Sequence, residues 1–384
     1  MNSIVLPDYK NSILNITSSI LKSYGINSRY STLDLLDSVL EKRYKNVVLM
    51  IFDGMGIDIL ENNLPDDSFL RRNNRQHITS VFPCTTTAAM TAYYSGLSPN
   101  EHGWLGWSLY FKEFSRFVDI FTNQDSFTKT SIGGINAANK LMPYKTIFEK
   151  INEATDAKIK SYTIMPSAID FHKYPNTHMK VDSSAQICSN IIKLCNGHDR
   201  KFIMSYWYEP DSTMHRLGCY TRETKTQMGL FDRQIEKMCS KLNDTLIIIS
   251  ADHGHINISR EMFLNDIPEI DECLIMPPSI ESRALSLFIK PEMQDAFTKR
   301  FNKHFGDCFI LYSKEEVIQN KLFGNGVSHK KIHDFLGDYL ACATSNTIIR
   351  YKTLNTQVRQ TYKGQHAGLT PQEMIVPLII IDKK

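Results

Sequence analysis

The sequence predicts an α/β chain: a three-layer αβα sandwich with a mostly parallel central sheet and an inserted cap subdomain. Three observations carry this prediction. Short apolar, β-branched runs recur along the chain, segments with helical potential lie between them, and the rhythm weakens between residues 256 and 360. Near-continuous hydrophobicity over about six residues marks a strand buried on both faces. Strands that alternate with helices form a mostly parallel sheet covered on both sides.

The runs are NVVLMIF (46–52), HITSVF (77–82), KIKSYTIM (158–165), KFIMSYWY (201–208), TLIIIS (245–250) and MIVPLIII (374–381). Helical potential lies in TAAMTAYYSGL, YKTIFEKINEA, SSAQICSNIIKLC and ETKTQMGLFDRQIEKMCSKL. Beyond residue 255, RALSLFIKPEMQDAFTKRFNKHFGDCFILYSKEEVIQ reads as strand, helix, strand, helix. Residues 256–360 are therefore expected to form the cap, and residues 1–255 with 361–384 the core.

Composition narrows the function classes. Hydrophobic residues make up 42% of the 384 and charged residues 22%, as in an ordinary globular protein. Lys plus Arg exceed Asp plus Glu by 44 to 41, a net charge of +3, which gives no footprint for binding a nucleic-acid duplex. No apolar stretch of about 18 residues predicts a membrane span. The eight cysteines lack any C-x-x-C pair, and the amino terminus lacks the pattern of a secretory signal. A cytoplasmic protein with reduced thiols is expected.

The strand ends carry the chemistry, because ligands in such folds sit at the carboxyl ends of the strands. Asp53 follows the first run, in DGMG, and Asp211 and His215 follow the fourth, in EPDSTMH. Asp252, His253 and His255 follow the fifth, in ADHGH, and His366 precedes the last, in GQHAGLTPQEM. The second run leads into FPCTTTAAM, with Thr85, Thr86 and Thr87. Each residue has a structural explanation alone: a turn-forming Asp, an i,i+4 ion pair, a hydrogen-bonded His. Together they offer the oxygen and imidazole donors that borderline divalent ions such as zinc or manganese accept. Two such ions about 4 Å apart can clamp the attacking and leaving oxygens of an in-line displacement. Metal coordination also activates a weak hydroxyl nucleophile, and a helix beginning after the threonines would favour an anionic substrate.

FDGMG, FPCTTTAAMTAYYSGLSPNEHG, YEPDSTMHRLG, ADHG and GQHAGLTPQEM resemble the successive motifs of the alkaline phosphatase superfamily. They are most similar to its branch of nucleotide pyrophosphatases and type I phosphodiesterases. The resemblance implies that Thr86 is the nucleophile. It further implies that Asp53, Asp252 and His253 hold one ion with Thr86, and that Asp211, His215 and His366 hold the other. The implied activity is hydrolysis of a phosphate diester or nucleotide pyrophosphate through a phosphothreonine, with two divalent ions, zinc or else manganese. The partner is a small phosphate ester, a nucleotide among the candidates. One departure is that the family's Asn three residues after the nucleophile, which helps bind a phosphoryl oxygen, is replaced here by Ala89.

Rival readings use the same metal core: a phosphomonoesterase, a phosphonate hydrolase, or a metal-binding pseudoenzyme. Sulfatase chemistry needs Cys-x-Pro-x-Arg, and Thr86 and Ala88 occupy its second and fourth positions after Cys84. Cys84 is expected to pack as a small apolar residue. His102 is expected to fix the loop after the nucleophile helix. Walker-type and H-E-x-x-H motifs are absent from the sequence.

Overall fold

The apolar runs pair into one seven-stranded sheet in a computed structural model that describes residues 3–169, 177–353 and 362–384. The strand order is Asn74–Thr79, Ile375–Lys383, Thr245–Ser250, Asn46–Phe52, Arg200–Trp207, Ile159–Pro166, His178–Val181. Asn46–Phe52 lies at the centre, parallel to both neighbours, with Val48 opposite Ile203 on one side and Ile247 on the other. All seven of its residues are buried. Successive strand side chains point to opposite faces, so burial of every one requires cover on both.

Helices supply that cover. Ile13–Ser23 packs on Asp34–Leu40 and on Thr86–Ser95, which meets Ile147–Ala154. Ser184–Cys195 and Ile57–Asn63 pack on Arg222–Cys239. The last helix buries Met228, Phe231, Ile235 and Met238, an i, i+3, i+7, i+10 stripe. The three-layer αβα arrangement is thus present, with a mostly parallel central sheet. Its exception, Ile375–Lys383, runs antiparallel to Thr245–Ser250 and to Asn74–Thr79.

A second seven-stranded sheet is antiparallel throughout, in the order Phe309–Ser313, Tyr339–Ala343, Ala284–Leu287, Ser279–Glu281, Ser108–Phe111, Arg116–Asp119, Gln124–Asp125. The helix Gln294–Phe305 buries Phe297, Phe301 and Phe305 in a cluster with Leu285, Leu287 and Phe309 of this sheet. The strand–helix–strand–helix order read from residues 283–319 is found as Ala284–Leu287, Gln294–Phe305, Phe309–Ser313 and Lys314–Gln319. The sheet draws strands from both sides of residue 256, because Ile280 pairs with Ser108. The expected return to the core at residue 361 lies outside the described residues.

A buried ion pair locks this second sheet to the core. Arg283, fully buried, donates Nε to Glu373 Oε1 (2.6 Å) and Nη2 to Glu373 Oε2 (2.7 Å). Its remaining N–H groups reach the carbonyls of Thr347 and Ser345, each at 2.7 Å. Glu373 also accepts from Gly368 N (2.7 Å) and Thr370 Oγ1 (2.6 Å), so both partners are well satisfied. Among the described residues no helix is long and apolar enough to cross a membrane.

Candidate active site and metal centre

The carboxyl edge of the parallel strands collects the candidate metal ligands and Thr86. Asp53 directly follows Asn46–Phe52, and its N–H donates to Trp207 O (2.9 Å) at the end of the adjacent strand. Asp211 N in turn donates to Asp53 O (3.1 Å), tying the two acidic residues through the backbone. Asp252 and His253 follow Thr245–Ser250. His366 precedes Ile375–Lys383, and because that strand runs the opposite way, its amino end lies at the same edge. Thr86 opens the helix Thr86–Ser95, with Thr85 as its N-cap.

The polar atoms converge at a spacing that is informative in itself. Thr86 Oγ1 lies 3.4 Å from Asp53 Oδ2 and 3.2 Å from His253 Nε2. His253 Nε2 lies 3.3 Å from Asp53 Oδ1 and 3.5 Å from Asp252 Oδ2. In the neighbouring cluster, Asp211 Oδ2 is 3.2 Å from His215 Nε2, and Asp211 Oδ1 is 3.1 Å from His255 Nε2 and 3.9 Å from His366 Nε2. Two ligands of a tetrahedral zinc, each bound at about 2.0–2.1 Å, stand about 3.3 Å apart.

The imidazoles are oriented for ligation. His215 Nδ1 faces Gly364 O (2.9 Å), His253 Nδ1 faces Gly254 O (2.9 Å) and His366 Nδ1 faces Cys84 O (3.3 Å). A carbonyl can only accept, so each Nδ1 carries a proton and each Nε2 is turned toward the carboxylates of the site. Asp53 Oδ1, Asp211 Oδ1, Asp252 Oδ2 and His255 Nε2 are buried without a hydrogen-bond partner among the described residues. Buried polar atoms of this kind are ordinarily satisfied. Four together, three of them carboxylate oxygens, fit divalent cations.

Electrostatics agree with that reading. Burial, then the charges of Asp252 and Asp211, hold Asp53 well above the usual carboxylate range, and burial raises Asp252. Burial acts the same way on Asp211, but the rings of His215 and His255 outweigh it and hold this carboxyl well below the usual range. Burial pushes His255 down to about 4 and His366 well below the ordinary imidazole value. Cations would relieve both the crowding of carboxylates and the lack of donors.

In three groups, one ligand atom from each residue lies within 4.8 Å of the others: Asp53, Asp252 and His253; Asp211, His215 and His255; and Asp211, His253 and His366. The first is a set implied by the sequence resemblance. Asp211, His215 and His366 do not form one mutually close group; His366 reaches Asp211 while stacking on His253 at 3.8 Å between ring centroids.

Several expectations from the sequence meet a definite geometry. Cys84 is buried, donates to Gly368 O (3.1 Å), and burial raises its thiol pKa well above the usual value, as befits a packing residue. His102 accepts from Trp104 N (3.0 Å) within the loop after the helix. Ala89 belongs to the hydrophobic core beneath the helix and does not line the site. An amide at that position would start within the core and not in the cavity lining. The first-turn N–H groups of Thr86–Ser95 have no intrahelical acceptors.

Three neighbours have no assigned role in the sequence reading. Tyr206 Oη donates to Asp53 Oδ2. Glu281, from the second sheet, accepts from Thr85 Oγ1 (2.7 Å) and Trp107 N (2.8 Å), and burial pushes it up to about 7. His255 is a strand-end candidate in ADHGH that the resemblance assigns to neither ion. Asp53, Thr86, Asp211, His215, Glu281 and His366 line a cavity of about 970 Å³ whose walls include Trp107, Phe121, Phe127, Tyr208 and Tyr362.

Comparison with known proteins gives a consistent picture. The family model for type I phosphodiesterase / nucleotide pyrophosphatase matches residues 47–368. Human bis(5'-adenosyl)-triphosphatase ENPP4 is 22% identical over 241 residues, covering 59% of this chain and 50% of the relative. The chain thus spans about half the length of that relative. Among solved structures, murine ectonucleotide pyrophosphatase / phosphodiesterase 5 superposes with a TM-score of 0.62 at 19% identity, covering 86% of this chain and 87% of the other. Phosphonoacetate hydrolase from Sinorhizobium meliloti, bound to phosphonoformate, gives 0.61 at 15% identity, covering 87% and 89%.

Proposed function

The chain belongs to the type I phosphodiesterase / nucleotide pyrophosphatase family, and from that premise we propose that it hydrolyses phosphate diesters through Thr86 with two divalent cations. The observation that carries the proposal is the set of unpartnered carboxylate oxygens and imidazole nitrogens, spaced as metal ligands are, around the Thr86 hydroxyl.

Asp53, Asp252 and His253 would hold one ion with Thr86, while Asp211, His215 and His366 contribute to the other. When bound, the ions activate the hydroxyl and neutralise charge on the phosphoryl oxygens. The donor set, rich in imidazole and carboxylate and free of thiolate, suits zinc and accommodates manganese.

Thr86 Oγ1 attacks phosphorus and loses its proton, the P–O bond to the departing alcohol breaks in line, and that alcohol leaves protonated. Water then cleaves the phosphothreonine and restores Thr86. Asp53 and His253 fix the hydroxyl's position. The helix beginning at Thr86 aims its first-turn N–H groups and positive end at the phosphoryl group.

The aromatic-walled cavity, about 970 Å³, supports a diester with a sizeable planar group over a small monoester or phosphonate. A murine relative whose inactive form is in complex with AMP makes a nucleotide the first substrate class to test. The eight buried, unpaired cysteines support a reducing, cytoplasmic setting.

The test is Thr86→Ala, assayed beside wild type on bis-p-nitrophenyl phosphate, p-nitrophenyl phosphate and nucleotide diesters. Turnover should fall on the order of 10³-fold or more while bound metal is retained. Undiminished hydrolysis would remove Thr86 as nucleophile, and faster wild-type turnover of the monoester would remove the diester assignment.

A further inference from the structure

Among the four imidazoles of the site, His255 is the one that the family resemblance leaves without a task, yet it sits closest to Asp211. Its Nε2 lies 3.1 Å from Asp211 Oδ1, against 3.2 Å from His215 Nε2 to Oδ2 and 3.9 Å from His366 Nε2 to Oδ1. Despite that proximity, neither His255 Nε2 nor Asp211 Oδ1 has a hydrogen-bond partner among the described residues. At 3.1 Å the two atoms stand at about the spacing of two ligands on one zinc, and with His215 they form a mutually close donor group.

The ring's other side follows the pattern of its three neighbours. Nδ1 of His255 faces Cys219 Sγ at 3.7 Å, within range of a sulfur hydrogen bond, as Nδ1 of the others faces a carbonyl. Metal-binding imidazoles nearly always anchor the far nitrogen in this way. The chain also leaves room for the ring: a Cβ on Gly364 would come within 2.7 Å of His255 Cε1 and Nδ1. Gly254, between His253 and His255, has the same character, since a Cβ there would stand 1.9 Å from Gln372 O. The backbone is thus packed to present both histidines to the site.

We infer that His255 is a direct ligand of the ion held by Asp211 and His215, added to the ligand set that the family resemblance implies. The inference rests on the two-metal reading above. Its consequence is that the two ions sit in unlike settings. The ion beside Thr86 has two carboxylates and one imidazole; the ion at Asp211 is dominated by imidazole, which favours zinc over the harder manganese.

The test combines a structure with a titration. Crystals of the wild-type full chain grown with zinc, with data at the zinc absorption edge, should place His255 Nε2 about 2.0–2.1 Å from an ion that Asp211 also binds. A separation beyond about 3 Å overturns the inference. In solution, zinc and manganese are titrated into chelator-stripped wild type and His255→Ala against a chromophoric competitor. One of the two zinc equivalents should weaken by about 100-fold or more, with the other retained and zinc selectivity over manganese reduced. Two equivalents of unchanged affinity in a folded variant overturn the inference alone. Wild type that binds fewer than two equivalents overturns the two-metal reading beneath it. Should His255→Ala fail to fold, the wild-type zinc distance decides the matter.

Discussion

Replacing Arg283 by Met should be among the most damaging single changes outside the catalytic edge. Met keeps much of the side-chain volume but removes four hydrogen bonds: two to the Glu373 carboxylate and one each to Thr347 O and Ser345 O. Both members of the pair are fully buried, so water cannot replace the lost partner. Breaking a buried pair from one side costs roughly 3–5 kcal/mol, and two abandoned carbonyls add about 1 kcal/mol each. A total of about 5–7 kcal/mol is comparable with the whole stability of many domains, about 5–15 kcal/mol. Urea unfolding followed by circular dichroism measures it, in a cycle with Glu373→Gln and the double variant. The double variant should recover at least about 2 kcal/mol relative to the sum of the singles. Zinc affinity should fall as well, because Glu373 Oε1 also holds Gly368 N, two residues beyond His366. A loss below about 1 kcal/mol for Arg283→Met, or strict additivity in the cycle, would refute the reasoning.

Two further outcomes follow from the site. Glu281 is raised by burial from the ordinary glutamate value to about 7, so its stabilising contribution is complete below about pH 4.5 and is lost as pH rises through about 7. In chelator-treated protein, Glu281→Gln should abolish that loss and gain on the order of 1–3 kcal/mol over wild type at pH 8, a range reduced because the carboxyl lines an open cavity. Parallel pH–stability curves for the two proteins would contradict the assignment. Gly254→Ala places a methyl against Gln372 O and should cost about 2–3 kcal/mol while displacing His253 and His255. Scanning calorimetry and zinc content report both effects, and an unchanged melting temperature with full zinc loading would show that the backbone relaxes freely.

Much of the core was legible because a strand buried on both faces leaves an unambiguous trace. NVVLMIF and TLIIIS match their strands residue for residue. His178–Val181, a short edge strand with one buried residue, carries no such trace and was missed. HITSVF predicts a strand over 77–82, but the strand is Asn74–Thr79, whose partly polar composition reflects its place at the sheet's edge. At the site, the ligand types could be read because they follow strand ends. Glu281 could not, since its contact with Thr85 spans 196 residues and depends on the pairing of Ile280 with Ser108. Ala89 shows the reverse failure. Counting three residues along from Thr86 suggested proximity to the substrate, whereas the turn of the helix sends that side chain inward.

The second sheet also bears on how a protein of this kind diversifies. The candidate metal ligands stand at the edge of the central sheet, whereas Trp107, Ser108 and Ile280 form the opposing wall of the cavity, at strands of the other sheet. Those strands find their register through main-chain bonds, which are indifferent to the side chains facing the cavity. Cavity-facing residues there can be exchanged while the apparatus for attack at phosphorus stays as it is. Reaction and selectivity are in this sense separately heritable. Glu281, reaching across to Thr85, is the point at which the two inheritances are joined.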